Sequence, residues 1–194
     1  TAPIELTGTG TRFAAPLPLP DGFLAGLAET CAINDDVTAT AEASRDWWPL
    51  ALHWSLAGMV PQRAAVIARP ANTAEVAAVL RMCNAANVPV TAAGGRSGVL
   101  AASVPVFGGV LLDMTALQGI VSVDAESGIV EVLAGTFGPD FEDELQREHG
   151  LSVGHFPQSF DIATVGGWVA CRGAGQYSTR YGKIEHMVSG LEVV

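Results

Sequence analysis

The tightest constraint on the fold lies in the run from Ala64 to Gly98. Ala64–Ala68 is short and apolar, as a buried strand is, and Arg69-Pro70 ends it. Asn72 and Glu75 stand at capping-box spacing, after which Val76, Val79, Leu80 and Cys83 fall on one helical face. Asn87 and Pro89 stop that helix, and Val88–Thr91 reads as a second strand. Strand, helix, strand at this spacing predicts a βαβ unit with parallel strands. The second strand runs out into Ala93-Gly94-Gly95-Arg96-Ser97-Gly98. Open α/β sheets bind ligands at that carboxyl end.

The pattern then changes. Gly109–Asp113 is another apolar strand, and Ile120–Asp124 and Ile129–Leu133 predict an antiparallel hairpin turning at Ala125-Glu126-Ser127-Gly128. Pro139 opens a helix with Phe141 and Leu145 inward, and Gly150 fits the left-handed position after it. The fold class is therefore α+β: two α/β subdomains, a βαβ lobe and a lobe with a mixed or antiparallel sheet, without a clear linker.

Upstream the signal is weaker. Thr1–Pro20 reads as a poorly ordered arm, and Asp21 is placed to cap a helix from Gly22 to about Cys31, broken by Asn34-Asp35-Asp36. Trp47, Trp48 and Trp54 crowd one stretch, and Pro49 forbids a helix through Trp48. These aromatics read as a clamp packing the arm on the core; the alternative is that Arg45 or Asp46 approaches a ligand. The expected division is residues 1–60, arm and helical segment, and residues 61–194, the main domain. The apolar Leu191–Val194 reads as a strand, so the chain is expected to be a fragment; no signal peptide is visible and Thr1 is not a methionine.

Composition narrows the partners. A net charge of −10 gives no general attraction for nucleic acid or anionic membranes, so any bound phosphate must be held by local backbone N–H groups and a few placed cations. Cys31, Cys83 and Cys171 are odd in number and widely spaced, which argues against a disulfide framework or zinc site and for reduced thiols in a cytoplasmic setting. Cys171 reads as a small buried hydrophobe. The charge-free stretches Trp47–Gln62 and Ser97–Leu112 are too short and broken for a membrane helix. His149 and His155 have no metal-ligand spacing; His155 reads as a surface or turn histidine, with approach to a ligand as the alternative.

Two glycine-bearing stretches carry the chemistry. In residues 93–98, adjacent glycines let the backbone turn several N–H groups toward one point; Ser97 adds a hydroxyl and Arg96 a cation. That suits a pyrophosphate, although an ordinary structural turn would use the same residues. Neither the Walker nor the GxGxxG pattern is present. In the second stretch, Pro157-Gln158-Ser159 precedes Ala163-Thr164-Val165-Gly166-Gly167-Trp168, and Thr164 is placed to cap a helix over Val165–Cys171 whose N-terminus faces an electron-rich group. Gly166, Gly167, Gly173 and Ala174 either admit a ligand to the backbone or permit tight helix–sheet packing.

In order, the chain reads RPANTAEV, VPVTAAGGRSGV, GGVLLDM, AGTF, ATVGGWVACRGAG and TRYGKIEHMVSGLEVV. This succession, over about Ala64 to Val194, resembles the FAD-binding domain of the vanillyl-alcohol oxidase and p-cresol methylhydroxylase flavoproteins. Within them TVGGW, CRGAG and YGKIE are most similar to the alkyldihydroxyacetonephosphate synthases; 2-hydroxy-acid dehydrogenases of the family usually differ at Trp168. The resemblance implies FAD in a cleft between the two subdomains. Thr91, Ala92, Ala93, Gly94, Gly95, Arg96 and Ser97 would hold the pyrophosphate, and Gly98 extends the loop. Pro157, Gln158, Ser159, Asp161, Ala163 and Thr164, with Gly166, Gly167, Cys171, Arg172, Gly173 and Ala174, would line the flavin and ribityl chain. Many relatives carry a small residue at Arg96 and an Asp at Gln158. Some attach FAD through a histidine in the pyrophosphate loop; Thr91–Val99 has none, so the FAD is non-covalent. The implied substrate is a small molecule or lipid, the assembly weighed is a homodimer, and the acid–base residues would lie beyond Val194. Alone, this stretch is expected to bind FAD weakly or not at all and to turn nothing over. Against this stand a non-catalytic nucleotide-binding module and a structural domain whose glycines serve packing.

Overall fold

The computed structural model describes residues 4–10 and 13–194. The chain divides into two compact units, Thr1–Met114 and Thr115–Val194. In the first, β1 (Gly8–Thr9) is followed by α1 (Phe23–Thr30), β2 (Ala32–Asn34), α2 (Val37–Ala43), α3 (Pro49–Ser55), β3 (Met59–Val60), β4 (Val66–Arg69), α4 (Thr73–Ala86), β5 (Val90–Ala93) and β6 (Val110–Asp113). The main sheet has the order β2-β4-β6-β5; β4, β6 and β5 run parallel and β2 antiparallel. The βαβ unit is therefore present, but β6 enters between its two strands. Gly109 makes that entry possible: its φ is 70°, and a Cβ there would collide with the Pro89 carbonyl oxygen.

Helix α4 follows its sequence closely. Asn72 Oδ1 accepts from Glu75 N at 3.0 Å, while the Glu75 carboxylate accepts from Asn72 Nδ2 at 2.7 Å and Ala71 N at 2.8 Å. Asn87 ends the helix in the left-handed conformation, φ 53°. Val76, Val79 and Cys83 are buried, each aliphatic side chain contributing about 1.5–3 kcal/mol by leaving water. Ala43, Ala64, Ala93 and Leu111 form one buried cluster.

The second unit holds β7 (Ile120–Asp124), β8 (Ile129–Val132), α5 (Gly138–Glu144), α6 (Val165–Ala170) and α7 (Ser178–Tyr181). The hairpin β7–β8 is antiparallel with an irregularity between Ile120 and Ser122. Asp124 fixes its turn by accepting from Ser127 Oγ at 2.6 Å. After α5 the chain widens into a π-type turn over Leu145–His149, and Gly150 takes the left-handed position. Phe141, Leu145, Ala163, Trp168 and Ile184 form the core.

Several expectations need correction. The arm is not loose where it is described: β1 pairs in parallel with β3, Leu6 is buried beside Ala41 and Val60, and Gln62 Nε2 donates to Ala14 O at 2.9 Å. Its remaining residues, 1–3, 11 and 12, lie outside the described residues. Gly22, not Asp21, caps α1, without a side-chain bond. Asn34 closes β2 and Asp36 caps α2 through Ala39 N at 2.8 Å, so that trio is a strand end and a cap rather than a break. Trp54 lies against Gly10, in keeping with a clamp, but Trp47 is exposed. Leu191–Val194 is exposed and pairs with no strand among the described residues.

Candidate functional site

Loop 93–98 leaves the carboxyl end of β5, half-buried along Gly94–Gly98. Among the described residues, the backbone N–H groups of Gly95, Arg96, Ser97 and Gly98 donate to no backbone carbonyl. Free N–H groups in succession normally find a partner, because leaving them unmade costs as much as losing a hydrogen bond. Arg96 sits among them at φ 54°, a left-handed turn that folds successive N–H groups into a concave nest for anions. Its guanidinium is half-buried, and among the described residues it makes one long hydrogen bond, Nη1 to Glu42 O at 3.4 Å. Burial pushes this guanidinium below its usual range, with nearby Asp113 acting in the opposite direction. Among the described residues, a half-buried cation with no salt bridge thus stands beside four amides that donate to no protein carbonyl, an arrangement that can accept an anion.

Asp46 closes the other side of the loop. The carboxylate is 2% exposed, and Trp47 N beside it donates to Gly98 O at 2.9 Å. Oδ1 accepts from Trp48 N at 3.0 Å, whereas Oδ2 has no partner among the described residues.

The second stretch is built differently. Thr164 caps α6 by accepting from Gly167 N at 3.3 Å. Val165 N, however, donates to Thr136 O at 2.9 Å and Gly166 N to Ala134 O at 2.8 Å. The expectation that this helix points free N–H groups at a ligand is therefore overturned: the exit of the hairpin takes them. Gly166 is a packing glycine, since a Cβ would lie 2.8 Å from Ala134 Cβ; likewise a Cβ on Gly175 would lie 2.7 Å from Phe156 N. Gln158, Asp161, Arg172 and Ala174 are exposed and Pro157, Ser159, Gly167 and Gly173 half-buried, while Ala163 and Thr164 are buried. Cys171 is exposed, not the buried hydrophobe its small side chain predicts, because it follows the last turn of a six-residue helix. Arg172 reaches Glu185 at 3.1 Å, and Lys183 reaches it at 2.9 Å.

His155 is a further correction. It is buried, 1% exposed, and neither ring nitrogen has a partner among the described residues. Its ring stands edge-on to Trp168 at 5.0 Å, and Trp168 stacks on Phe160 at 5.9 Å. Glu142, itself buried, fixes the approach by accepting from Val153 N at 2.9 Å. Burial lowers the His155 pKa and keeps the imidazole neutral. Nothing in its local pattern except the apolar neighbours Val153 and Phe156 signals this burial. Among the described residues no cluster of three or more His, Cys, Asp or Glu is placed to hold a metal ion, and no helix is long and apolar enough to cross a membrane.

A mainly parallel sheet with a glycine loop and a half-buried cation at its carboxyl end, followed by an antiparallel unit, is the architecture of a binding domain for a dinucleotide cofactor. The chain belongs to the FAD binding domain family, whose model matches residues 64–194, and FAD is its cofactor. It is 32% identical to the alkyldihydroxyacetonephosphate synthase of Trypanosoma brucei brucei over 142 residues, 71% of this chain and 23% of that protein. It is 33% identical to the D-lactate dehydrogenase of Anaerostipes hadrus over 132 residues, 68% of this chain and 27% of that protein. The chain thus spans about a quarter of the length of these relatives. A solved alkyldihydroxyacetonephosphate synthase superposes with a TM-score of 0.84 at 26% identity, covering 96% of this chain and 35% of the other. p-Cresol methylhydroxylase shares the fold, with a TM-score of 0.65 at 18% identity over 81% of this chain and 31% of its own. The resemblance read from the ordered motifs is borne out.

Proposed function

We propose that this chain is the cofactor-holding part of a flavoenzyme of the alkyldihydroxyacetonephosphate synthase type. The reaction would replace the acyl group of an acyl-dihydroxyacetone phosphate by a fatty alcohol, forming an ether and releasing the fatty acid. The observation that supports the FAD part of this reading is the run of N–H groups over Gly95–Gly98 that meet no backbone carbonyl among the described residues, beside the guanidinium of Arg96. In this reading these amides and the guanidinium hold the diphosphate, and residues 157–164 and 171–174 line the flavin and ribityl chain. FAD, when bound, supplies the redox or carbanion chemistry; the protein supplies orientation and electrostatics. His155, buried edge-on to Trp168 with neither ring nitrogen hydrogen-bonded among the described residues, has a proton acceptor and a hydrogen-bond donor to spare.

The synthase reading is favoured by TVGGW, CRGAG and YGKIE and by the relative from Trypanosoma brucei brucei. The D-lactate dehydrogenase relative favours a second reading, oxidation of a 2-hydroxy acid with hydride passing to the flavin. The first test is FAD titration, followed by flavin fluorescence and melting temperature. Bound ligand stabilises the native state by about 2.7 kcal/mol at a hundredfold excess over Kd, and no shift at saturating FAD overturns the cofactor-holding reading. For the activity, a protein that carries this chain together with the further length of its relatives is incubated with acyl-dihydroxyacetone phosphate and labelled fatty alcohol. Labelled ether product supports the synthase; flavin bleaching by a 2-hydroxy acid, without ether formation, supports the dehydrogenase.

A further inference from the structure

We propose that Asp46 is a further cofactor-binding residue, its Oδ2 accepting a hydrogen bond from a sugar-chain hydroxyl of bound FAD; this rests on the FAD reading above. Asp46 lies in the turn between α2 and α3 and is 2% exposed. One oxygen has a local task, since Oδ1 accepts from Trp48 N at 3.0 Å. The other has none: Oδ2 is buried without a partner among the described residues. It also has a defined neighbour. A Cβ on Gly98 would lie 3.6 Å from it, and the adjacent Trp47 N donates to Gly98 O at 2.9 Å. The orphan oxygen therefore stands at the end of the loop whose amides are free.

Chemistry selects the partner. Burying a carboxylate without full hydrogen bonding is costly. The bond to Trp48 N does not require it, because serine or asparagine makes the same local turn without a charge. The diphosphate cannot be the partner: it is anionic and offers only acceptors. Hydroxyls flank it on both sides, on the ribose and on the ribityl chain, and each is a donor. A loop with Arg96 and free amides for the phosphates and a carboxylate at its end for a hydroxyl divides the ligand by charge. Dinucleotide sites of other folds make a similar division, with an acidic side chain on a ribose hydroxyl.

The test measures the Kd of FAD for the wild-type chain and for Asp46→Asn and Asp46→Ser, with circular dichroism and melting without FAD as checks on folding. Asn is nearly isosteric; Ser keeps an acceptor for Trp48 N and leaves the Oδ2 position empty. Both variants are expected to weaken FAD about tenfold to a hundredfold, the range for a hydrogen bond to a charged group, while the melting temperature without FAD is held or rises. Competition by ADP assigns the donor: a loss shared by ADP places it on the ribose, and a loss confined to FAD places it on the ribityl chain. Unchanged or tighter FAD binding by a folded Asp46→Asn, with wild-type binding intact, overturns this proposal alone. A wild-type chain that binds no FAD overturns it together with the reading on which it rests.

Discussion

Arg96 combines two burdens that a structural turn has no use for. Its left-handed backbone costs a non-glycine residue about 1–2 kcal/mol, and among the described residues its half-buried guanidinium makes only the 3.4 Å bond to Glu42 O. Arg96→Gly relieves the first and adds freedom to the unfolded chain, so stability without FAD is expected to stay within about 1 kcal/mol of wild type. Arg96→Ala keeps the strain and should be the less stable of the two by about 1 kcal/mol in urea unfolding. Both should weaken FAD about tenfold or more, measured by flavin fluorescence, because the charged donor is gone. His155 makes a prediction in pH. Burial holds its folded pKa below the usual 6.5. The unfolded state then binds the proton first, so the contribution is fully present above pH 6.5 and is lost as pH falls from there to the folded pKa. His155→Phe, which keeps a ring against Trp168, should flatten the fall in stability between pH 7.5 and about 5; a slope unchanged in that variant would assign the effect elsewhere. Glu185 acts in a lower window. Hydrogen bonding from Lys183 first, and from Arg172, holds its carboxyl at about 2 against a usual 4.5, so its contribution is present above 4.5 and is lost as pH falls toward 2.

Helix α6 shows how an element can satisfy its sequence signals and still serve a different end. Thr164 caps it as the sequence predicts, yet the donors at its start go to Thr136 O and Ala134 O. Gly166 permits that contact, so Gly166→Ala, with its Cβ 2.8 Å from Ala134 Cβ, should push α6 off the hairpin exit. The expected loss is about 1–3 kcal/mol in urea unfolding, as for overpacking generally. Gly167→Ala should cost less, because its nearest neighbour is the Thr164 hydroxyl at 3.2 Å. What separates legible from illegible elements here is the distance over which a residue's partner lies. Helix α4 and the β7–β8 hairpin were readable because Asn72 meets Glu75 and Asp124 meets Ser127 within a few residues. The position of β6 between β4 and β5 was not, since strand order depends on pairings tens of residues apart. The destination of the α6 donors was hidden for the same reason, as was the burial of His155, which rests on Trp168 and Glu142. The loop 93–98 was readable as a glycine turn able to direct N–H groups at an anion, but an ordinary structural turn fitted the same residues, because an unmade hydrogen bond has no sequence signature.

At the scale of the whole molecule, charge opposes the ligand that the loop is built for. The chain carries −10 formal charges, and the FAD diphosphate about −2. In unscreened water at about 20 Å, ten against two charges repel by about 4 kcal/mol. At physiological salt the Debye length is about 8 Å, and most of that repulsion disappears. The attraction that completes binding is of another kind: the amides of Gly95–Gly98 are fixed dipoles, and Arg96 is half-buried, so both are screened far less. Approach and retention should therefore respond differently to salt. Raising NaCl from about 10 to 150 mM is expected to increase the association rate of FAD by several-fold, read by stopped-flow flavin fluorescence, and to leave the dissociation rate nearly unchanged. This is opposite in sign to a basic nucleotide-binding surface, where salt slows association. A rate that falls with salt would mean that Arg96 and its neighbours project a positive field well beyond the loop, and that the net charge of the chain has no part in how the cofactor arrives.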